Sequence, residues 1–238
     1  MGSKKAFMNW SSGKDAAMAL HIVQNSTHSQ IDLLLTTISA AHQRVSMHGL
    51  RRSLLEAQAT ALTIPLQVIE LPENPSMDTY GRIMTEQLSL LSAKGFSTTY
   101  FGDIFLEDLR SYREDMLRPF GFEVIFPLWN KDTRQLLREI IASGLKAIVV
   151  AVNAQVLDKS FCGRIIDIAF LEDLPPEVDP CGENGEFHTF CFDGPLFKYP
   201  IAIKKEAIVY RTYPAPKTDT GEPQQAYGFW FCDLYLDQ

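Results

Sequence analysis

Residues 5–20, KAFMNWSSGKDAAMAL, constrain the fold more tightly than any other stretch of this chain. Ala6 to Trp10 form a short, mostly apolar run that suits a buried strand. Beyond Gly13, Ala16, Ala19, Leu20 and Val23 recur at helical spacing, which puts them on one face. Only a tight turn of small residues, Ser11-Ser12-Gly13, links the strand to the helix. Such a turn leaves backbone N–H groups without acceptors at the helix start, and the helix dipole adds partial positive charge there. The turn is thereby suited to an anion, with phosphate the obvious guest. Lys14 adds a full charge on a loop expected to be exposed, so that its removal would weaken nucleotide binding and spare the fold. Asp15 is placed to hold a magnesium ion on that phosphate. The same residues also make an ordinary turn with no ligand, and the loop alone leaves both readings open.

The rest of the first half repeats the alternation. Strands are expected at Ile31–Ile38, Leu66–Glu70, Thr98–Phe101 and Val124–Phe126, with a helix over Leu50–Leu62. Tyr80, Ile83, Met84, Leu88 and Leu91 share helical spacing, as do Leu136, Leu137, Ile140 and Ile141 ahead of the run Ala147 to Val152. Short strands alternating with helices predict a doubly wound α/β fold with a parallel sheet. After about Phe161 the pattern changes. Prolines cluster in LEDLPPEVDP, and Phe187–Phe192, Ile201–Tyr213 and Tyr227–Leu236 are rich in aromatic and β-branched residues, with a linker-like stretch from Pro214 to Gln225. A second, smaller α+β lobe is expected, divided from the first near Trp129.

Charge and cysteine content narrow the function classes. The formal net charge is −7 and no long Lys/Arg block occurs, which argues against a nucleic-acid partner. No apolar run reaches the ~18 residues of a membrane span, and the start has no signal-peptide core. The four cysteines include no C-x-x-C pair, so a reduced, cytoplasmic protein is the default expectation.

In doubly wound sheets ligands sit outside the carboxyl ends of the strands. That rule selects Trp10–Asp15, Thr36–Ser39, Leu71 onward and Gly102-Asp103, with Thr37 and Ser39 offering hydroxyls to a nucleotide. His48 precedes a helix carrying Arg51 and Arg52, all donors for phosphate oxygens, although solvated charges at a helix start look the same. Arg110–Glu114 and Glu114–Arg118 are i,i+4 pairs on a solvated face. The second informative stretch is DPCGENGEFHTFCFDGP, Asp179 to Pro195. Glu183 and Glu186 flank Asn184-Gly185, a dipeptide built for a tight turn, and His188 opens the strand that follows. Acidic side chains on a rigid turn suit a cation, or ammonia about to become a nucleophile; a polar hairpin without a ligand fits equally well. Cys181, His188 and Cys191 suggest zinc, but a fourth ligand at close spacing is missing.

Taken with its flanks, the first turn resembles the S-G-G-x-D-S pyrophosphate loop of the PP-loop ATP pyrophosphatases. Ser12 stands where that pattern has Gly, which strains the backbone if its φ is positive, and Ala16 replaces the final Ser. The order WSSGKDA, MHGLRRSLLEAQA, YFGDIFLEDLR, FPLW and CGENGEFHTF resembles the diphthine–ammonia ligase family of those enzymes over essentially the whole chain. The resemblance implies a Rossmann-like (adenine nucleotide alpha hydrolase-like) ATP domain over residues 1–129 and a substrate lobe over 130–238. It also implies an AMP-forming carbon–nitrogen ligase using ATP and Mg2+. A small-molecule or protein-borne carboxylate attacks the α-phosphate, pyrophosphate leaves, and ammonia then displaces AMP. By position, Ser11, Ser12, Gly13, Lys14 and Asp15 fall on the pyrophosphate loop, with Asp15 also the magnesium ligand. Glu183, Asn184, Gly185, Glu186 and His188 fall on the substrate turn, with Asp15, Glu183 and Glu186 carrying the chemistry. The strand-end and helix-start arguments add Ser39, Gly102, Asp103 and His48 to the ATP side. The E-N-G-E form of the turn, in place of E-G-G-E, resembles the bacterial branch, for which amidation in cobalamin metabolism is the alternative role. A nucleotide-sensing protein that binds ATP without turnover is another.

Overall fold

Each apolar run of the first half becomes a strand of one sheet, and each amphipathic segment a helix laid against it. The computed structural model describes residues 4–26, 30–45, 48–213 and 227–237; the linker-like stretch Pro214 to Gln225 lies outside them. In chain order the first part runs β1 (Lys5–Asn9), α1 (Lys14–Asn25), β2 (Leu33–Ser39), β3 (Arg44–Val45), α2 (Arg52–Leu62), β4 (Leu66–Leu71), α3 (Met77–Ala93), β5 (Phe96–Tyr100), α4 (Glu107–Leu117) and β6 (Glu123–Ile125). Strands β4, β2, β1, β5 and β6 lie side by side and parallel, while short β3 pairs antiparallel with the end of β2.

Alternation along β1 explains the two helical layers. Ala6 and Met8 point into an apolar cluster with Ala17 and Leu20 of α1 and Leu54 and Leu55 of α2. Phe7 points the other way, into a cluster with Met84, Leu88 and Leu91 of α3 and Leu117 of α4. The parallel strands are thus covered on both faces, as parallel strands joined by crossover helices must be.

The second part comprises α5 (Thr133–Ala142), β7 (Lys146–Asn153), α6 (Ile168–Asp173), β8 (Phe187–Asp193), β9 (Ile203–Tyr213) and β10 (Tyr227–Leu236). Its four strands form an antiparallel sheet in the order β8-β7-β10-β9. The run Ala147–Val152, which lies beyond the expected division near Trp129, joins this sheet and not the parallel one. It is β7, an inner strand of the antiparallel sheet, whose Ala147 to Val152 are all buried. A strand covered on both faces reads as an unbroken apolar run in either kind of sheet. The two sheets share a core: the cluster holding Met8 and Ala17 continues to Ile148, Phe190 and Leu234.

Strand order fixes where a ligand can sit. From β1 the chain winds outward through β2 to β4 on one side, then returns to β5 and winds through β6 on the other. The crossovers diverge between β1 and β5, and the carboxyl ends of those strands frame a crevice. Among the described residues no helix is long and apolar enough to cross a membrane.

Candidate active site at the switch point

A cleft of about 440 Å³ opens at this crevice. Asn9 to Ala16 line one wall (Ser12 excepted), Phe101 to Asp103 the floor, and residues from Cys181 to Thr189 the opposite wall. The two stretches singled out in the sequence thus face each other across one space. Ser11, Gly13, Lys14, Asp15, His48, Gly102, Asp103, Glu183, Gly185 and His188 all line it. Ser12, Ser39, Asn184 and Glu186 are not among its lining residues.

The turn has the form that an anion site requires. Helix α1 begins at Lys14, and among the described residues the Ser11 and Ser12 amides find no protein acceptor. Ser12 adopts φ 72°, a left-handed conformation that glycine takes freely and serine takes only at a cost. Its carbonyl accepts from Cys191 N at 2.9 Å and from Gln58 Nε2 at 3.0 Å. The Lys14 amide is spent within the protein, donating to Thr189 Oγ1 at 3.0 Å. Gly102 is needed for a close approach: a Cβ there would lie 2.9 Å from Ala16 N, so α1 rests directly on the strand end after β5.

Lys14 is not the exposed loop cation that its neighbours suggested. It is 1% exposed, and its ammonium donates to both Asp15 oxygens, at 3.0 and 2.8 Å, and to the Cys181 carbonyl. Burial works against the charge, but the surrounding acidic groups, Asp15 first and then Cys181 and Glu183, together outweigh it and hold Lys14 above the ordinary lysine value. The side chain bridges the first turn to the 181–189 wall. Removing it would strand Asp15 and a buried carbonyl, so the variant expected to spare the fold should instead weaken it.

The opposite wall divides its two glutamates. Glu183 faces the cleft and accepts from Ile104 N at 2.8 Å. Burial, with Asp15 and Asp103 nearby and the Ile104 N–H opposing, pushes its carboxyl up to about 7. Glu186 is buried and turned into the turn itself, where Oε1 accepts from Asp179 N and from Asn184 Nδ2, both at 3.1 Å. His188 stacks on His48 with ring centres 4.6 Å apart, and His48 Nδ1 lies 3.3 Å from Thr189 O. Burial lowers both imidazoles, His48 to about 4 and His188 well below its usual value, so both are neutral at pH 7.

Other expected ligands are committed elsewhere. Arg51 and Arg44 both bind Asp233 of β10, and Arg52 pairs with Glu56 and Glu70. Ser39 Oγ accepts from His42 N at 3.3 Å. On α4, Arg110 pairs with Glu114 as expected, whereas Arg118 pairs with Asp115 rather than Glu114. Asp103 is 8% exposed and pairs at 3.0 Å with Arg113, a residue of α4 that the sequence reading does not single out and that lines the cleft.

Among the described residues no three His, Cys, Asp or Glu side chains come together as a metal site. A magnesium ion carried by a nucleotide needs only one or two carboxylates, because phosphate oxygens and water complete its shell. Asp15 lies on the cleft wall beside the free amides, but both its oxygens accept from the Lys14 ammonium, so it fits that part only by sharing a carboxylate oxygen between the ammonium and the metal.

Comparison with known proteins follows the same division of the chain. Residues 4–124 match the model of the diphthamide synthase N-terminal domain, and residues 132–214 that of the diphthamide synthase C-terminal domain. The chain belongs to the diphthamide synthase family. A diphthine–ammonia ligase of Mus musculus is 30% identical over 190 residues, 72% of this chain and 68% of the mouse protein. One from Homo sapiens is 32% identical over 116 residues, 46% of this chain and 43% of the human protein. One from Schizosaccharomyces pombe is 33% identical over 104 residues, 42% of this chain but 17% of that longer protein. By these names the diphthamide synthase family is one of ligases.

Two residues that tie the walls of this cleft together, Gln58 from behind it and Thr189 on its lining, have partners that the sequence does not reveal. Gln58 sits on a helix face among leucines and alanines, and Thr189 in a strand. Their partners, Cys191 and Lys14, are distant in the sequence. A polar residue at a position that helical spacing assigns to the core is the one signal that marks Gln58.

Proposed function

We propose that this chain is an ATP-dependent amide ligase: it adenylates a substrate carboxylate, releases pyrophosphate, and uses ammonia to form an amide and AMP. One observation carries the reading. A turn with unpaired amides at the start of α1 and a carboxyl raised to about 7 share one cleft at the switch point, in a chain whose relatives are named diphthine–ammonia ligases. In this reading residues 1–129 serve ATP and residues 130–238 serve the acid and the amine.

The chemistry follows from where charge develops. A carboxylate oxygen forms a bond to the α-phosphorus of ATP, and the bond to the β-phosphate oxygen breaks. The departing pyrophosphate carries the electron pair, and the Ser11–Gly13 amides with the α1 N-terminus meet that negative charge. Asp15 would hold magnesium, which when bound neutralises phosphate charge. Ammonia then bonds to the acyl carbon, AMP leaves with the acyl C–O electron pair, and Glu183 takes a proton from the attacking nitrogen. A carboxyl near 7 suits that work, being largely able to accept a proton at neutral pH and to return it. Glu186 keeps the turn in shape. The substrate carboxylate is the nucleophile, so no side chain needs to form a covalent bond.

The test is magnesium-dependent product analysis with labelled ATP, ammonium and a panel of carboxylic acids. AMP and pyrophosphate, formed only with the right acid, are expected. ADP and phosphate as the main products would refute the reading, and bound ATP left intact with every acid would favour a nucleotide sensor.

A further inference from the structure

Gln58 is fully buried on α2, at a position flanked by Leu54, Leu55, Ala61 and Leu62. An apolar side chain would fill that site without desolvating an amide. Instead Gln58 makes three hydrogen bonds to segments far away in the chain. Its Oε1 accepts from Trp10 Nε1 at 2.7 Å, and its Nε2 donates to Ser12 O at 3.0 Å and to Cys191 O at 2.6 Å. Every bond ends on the anion-binding turn or on an element touching it. The Ser12 carbonyl, gripped also by Cys191 N at 2.9 Å, is held pointing into the protein. No described peptide bond is cis. In a trans peptide the carbonyl and the next N–H point in opposite directions. Anchoring Ser12 O inward therefore turns the Gly13 N–H the opposite way, at a residue that lines the cleft. That N–H has only a long contact of 3.4 Å to Ser11 Oγ within the protein.

We propose that Gln58 is the positioning residue of the anion-binding turn, aiming the Gly13 N–H at the polyphosphate by holding the Ser12 carbonyl inside the fold. The proposal rests on the ATP reading of the cleft and names a residue which that reading does not require. A plain brace between the two sheets would use the same hydrogen bonds, and the two roles differ in which ligands they affect. Positioning acts on groups bound by the turn; a brace affects every ligand of the cleft alike, or none.

The experiment is calorimetric binding of ATP, inorganic pyrophosphate and AMP to the whole chain and to Gln58→Met, a change close in size that removes all three bonds. The dissociation constants for ATP and pyrophosphate should rise about tenfold, equivalent to about 1.4 kcal/mol, while that for AMP changes by less than about twofold. Equal weakening for all three ligands, or for none, would overturn the proposal. If Gln58→Met does not fold, Gln58→Asn, which withdraws the amide by one methylene, should show the same selectivity. Failure of both to fold would make Gln58 a structural residue only. Wild-type protein that binds neither ATP nor pyrophosphate would refute the ATP reading itself, an outcome separate from unchanged selectivity in a variant.

Discussion

Ser12→Gly should make the protein more stable without changing its affinity for ATP. Ser12 pays twice for its position: its φ is 72°, and its hydroxyl is buried with no hydrogen-bond partner. A left-handed conformation costs a residue with a Cβ about 1–2 kcal/mol. A buried polar atom left unsatisfied costs about 1–3 kcal/mol. Glycine relieves both, and gives back about 0.5–1 kcal/mol through its greater freedom in the unfolded chain. The balance is a gain of about 1–4.5 kcal/mol. At about 2–4 °C per kcal/mol for a chain of this size, the thermal midpoint should rise by roughly 2–18 °C. Affinity should hold because the Ser12 side chain is not part of the cleft wall and its carbonyl stays tied to Cys191 N and Gln58. Scanning calorimetry and ATP titration on the same preparation check both halves. A lower midpoint would mean that the hydroxyl has a partner, and a weaker affinity would mean that it reaches the nucleotide; either refutes the reasoning.

Lys14→Ala should lose about 3–5 kcal/mol, because it leaves Asp15 and the Cys181 carbonyl without their buried cation, and the thermal midpoint should fall by roughly 6–20 °C. An unchanged midpoint would restore the exposed-loop view. Glu183, raised to about 7, binds more protons in the folded than in the unfolded chain between the ordinary glutamate value and that point. Its contribution to stability is therefore lost as pH rises through that window, and denaturation curves for Glu183→Gln should lack that part of the slope. The rate of the ammonia step should climb to half its maximum near pH 7 in the wild type, an inflection that Glu183→Gln should abolish. Asp233 lies in the opposite case: burial raises its carboxyl, but Arg44 and Arg51 more than reverse this and hold it at about 2. Its stabilisation is present above the ordinary aspartate value and lost as pH falls towards 2, so Asp233→Asn should unfold with a shallower acid dependence over that range.

What could be read from the sequence and what could not divide along a physical line. The parallel sheet with its helices follows from local periodicity: Ala6 to Trp10 and Ala16 to Val23 carry their patterns within a few residues. The two walls of the cleft were legible as motifs, because a small-residue turn before a helix and a Glu-Asn-Gly-Glu turn each announce their backbone form. Their meeting was not, because it depends on how β8 lies against α1, set by bonds such as Lys14 N to Thr189 Oγ1. For the same reason the sequence could not tell Glu183 from Glu186. Both stand on one turn, and only its packing against Ile104 N on one side and Asp179 N within decides which faces outward. Lys14 misled because a lysine in a polar turn is usually solvated; here its counter-ion is the next residue and the wall that buries it is far away in the chain. The run that forms β7 gives no sign of which kind of sheet it joins, because a doubly buried strand hides the direction of its neighbours.

The most direct measurement is a crystal structure of the protein with magnesium and an ATP analogue that cannot be cut between the α- and β-phosphates. The account predicts β- and γ-phosphate oxygens within about 2.7–3.2 Å of the Ser12 and Gly13 amides, with the α-phosphate turned towards Glu183. A triphosphate seated elsewhere, for instance in the concavity between Arg52, Thr60 and Pro65 on the α2–β4 surface, would contradict it.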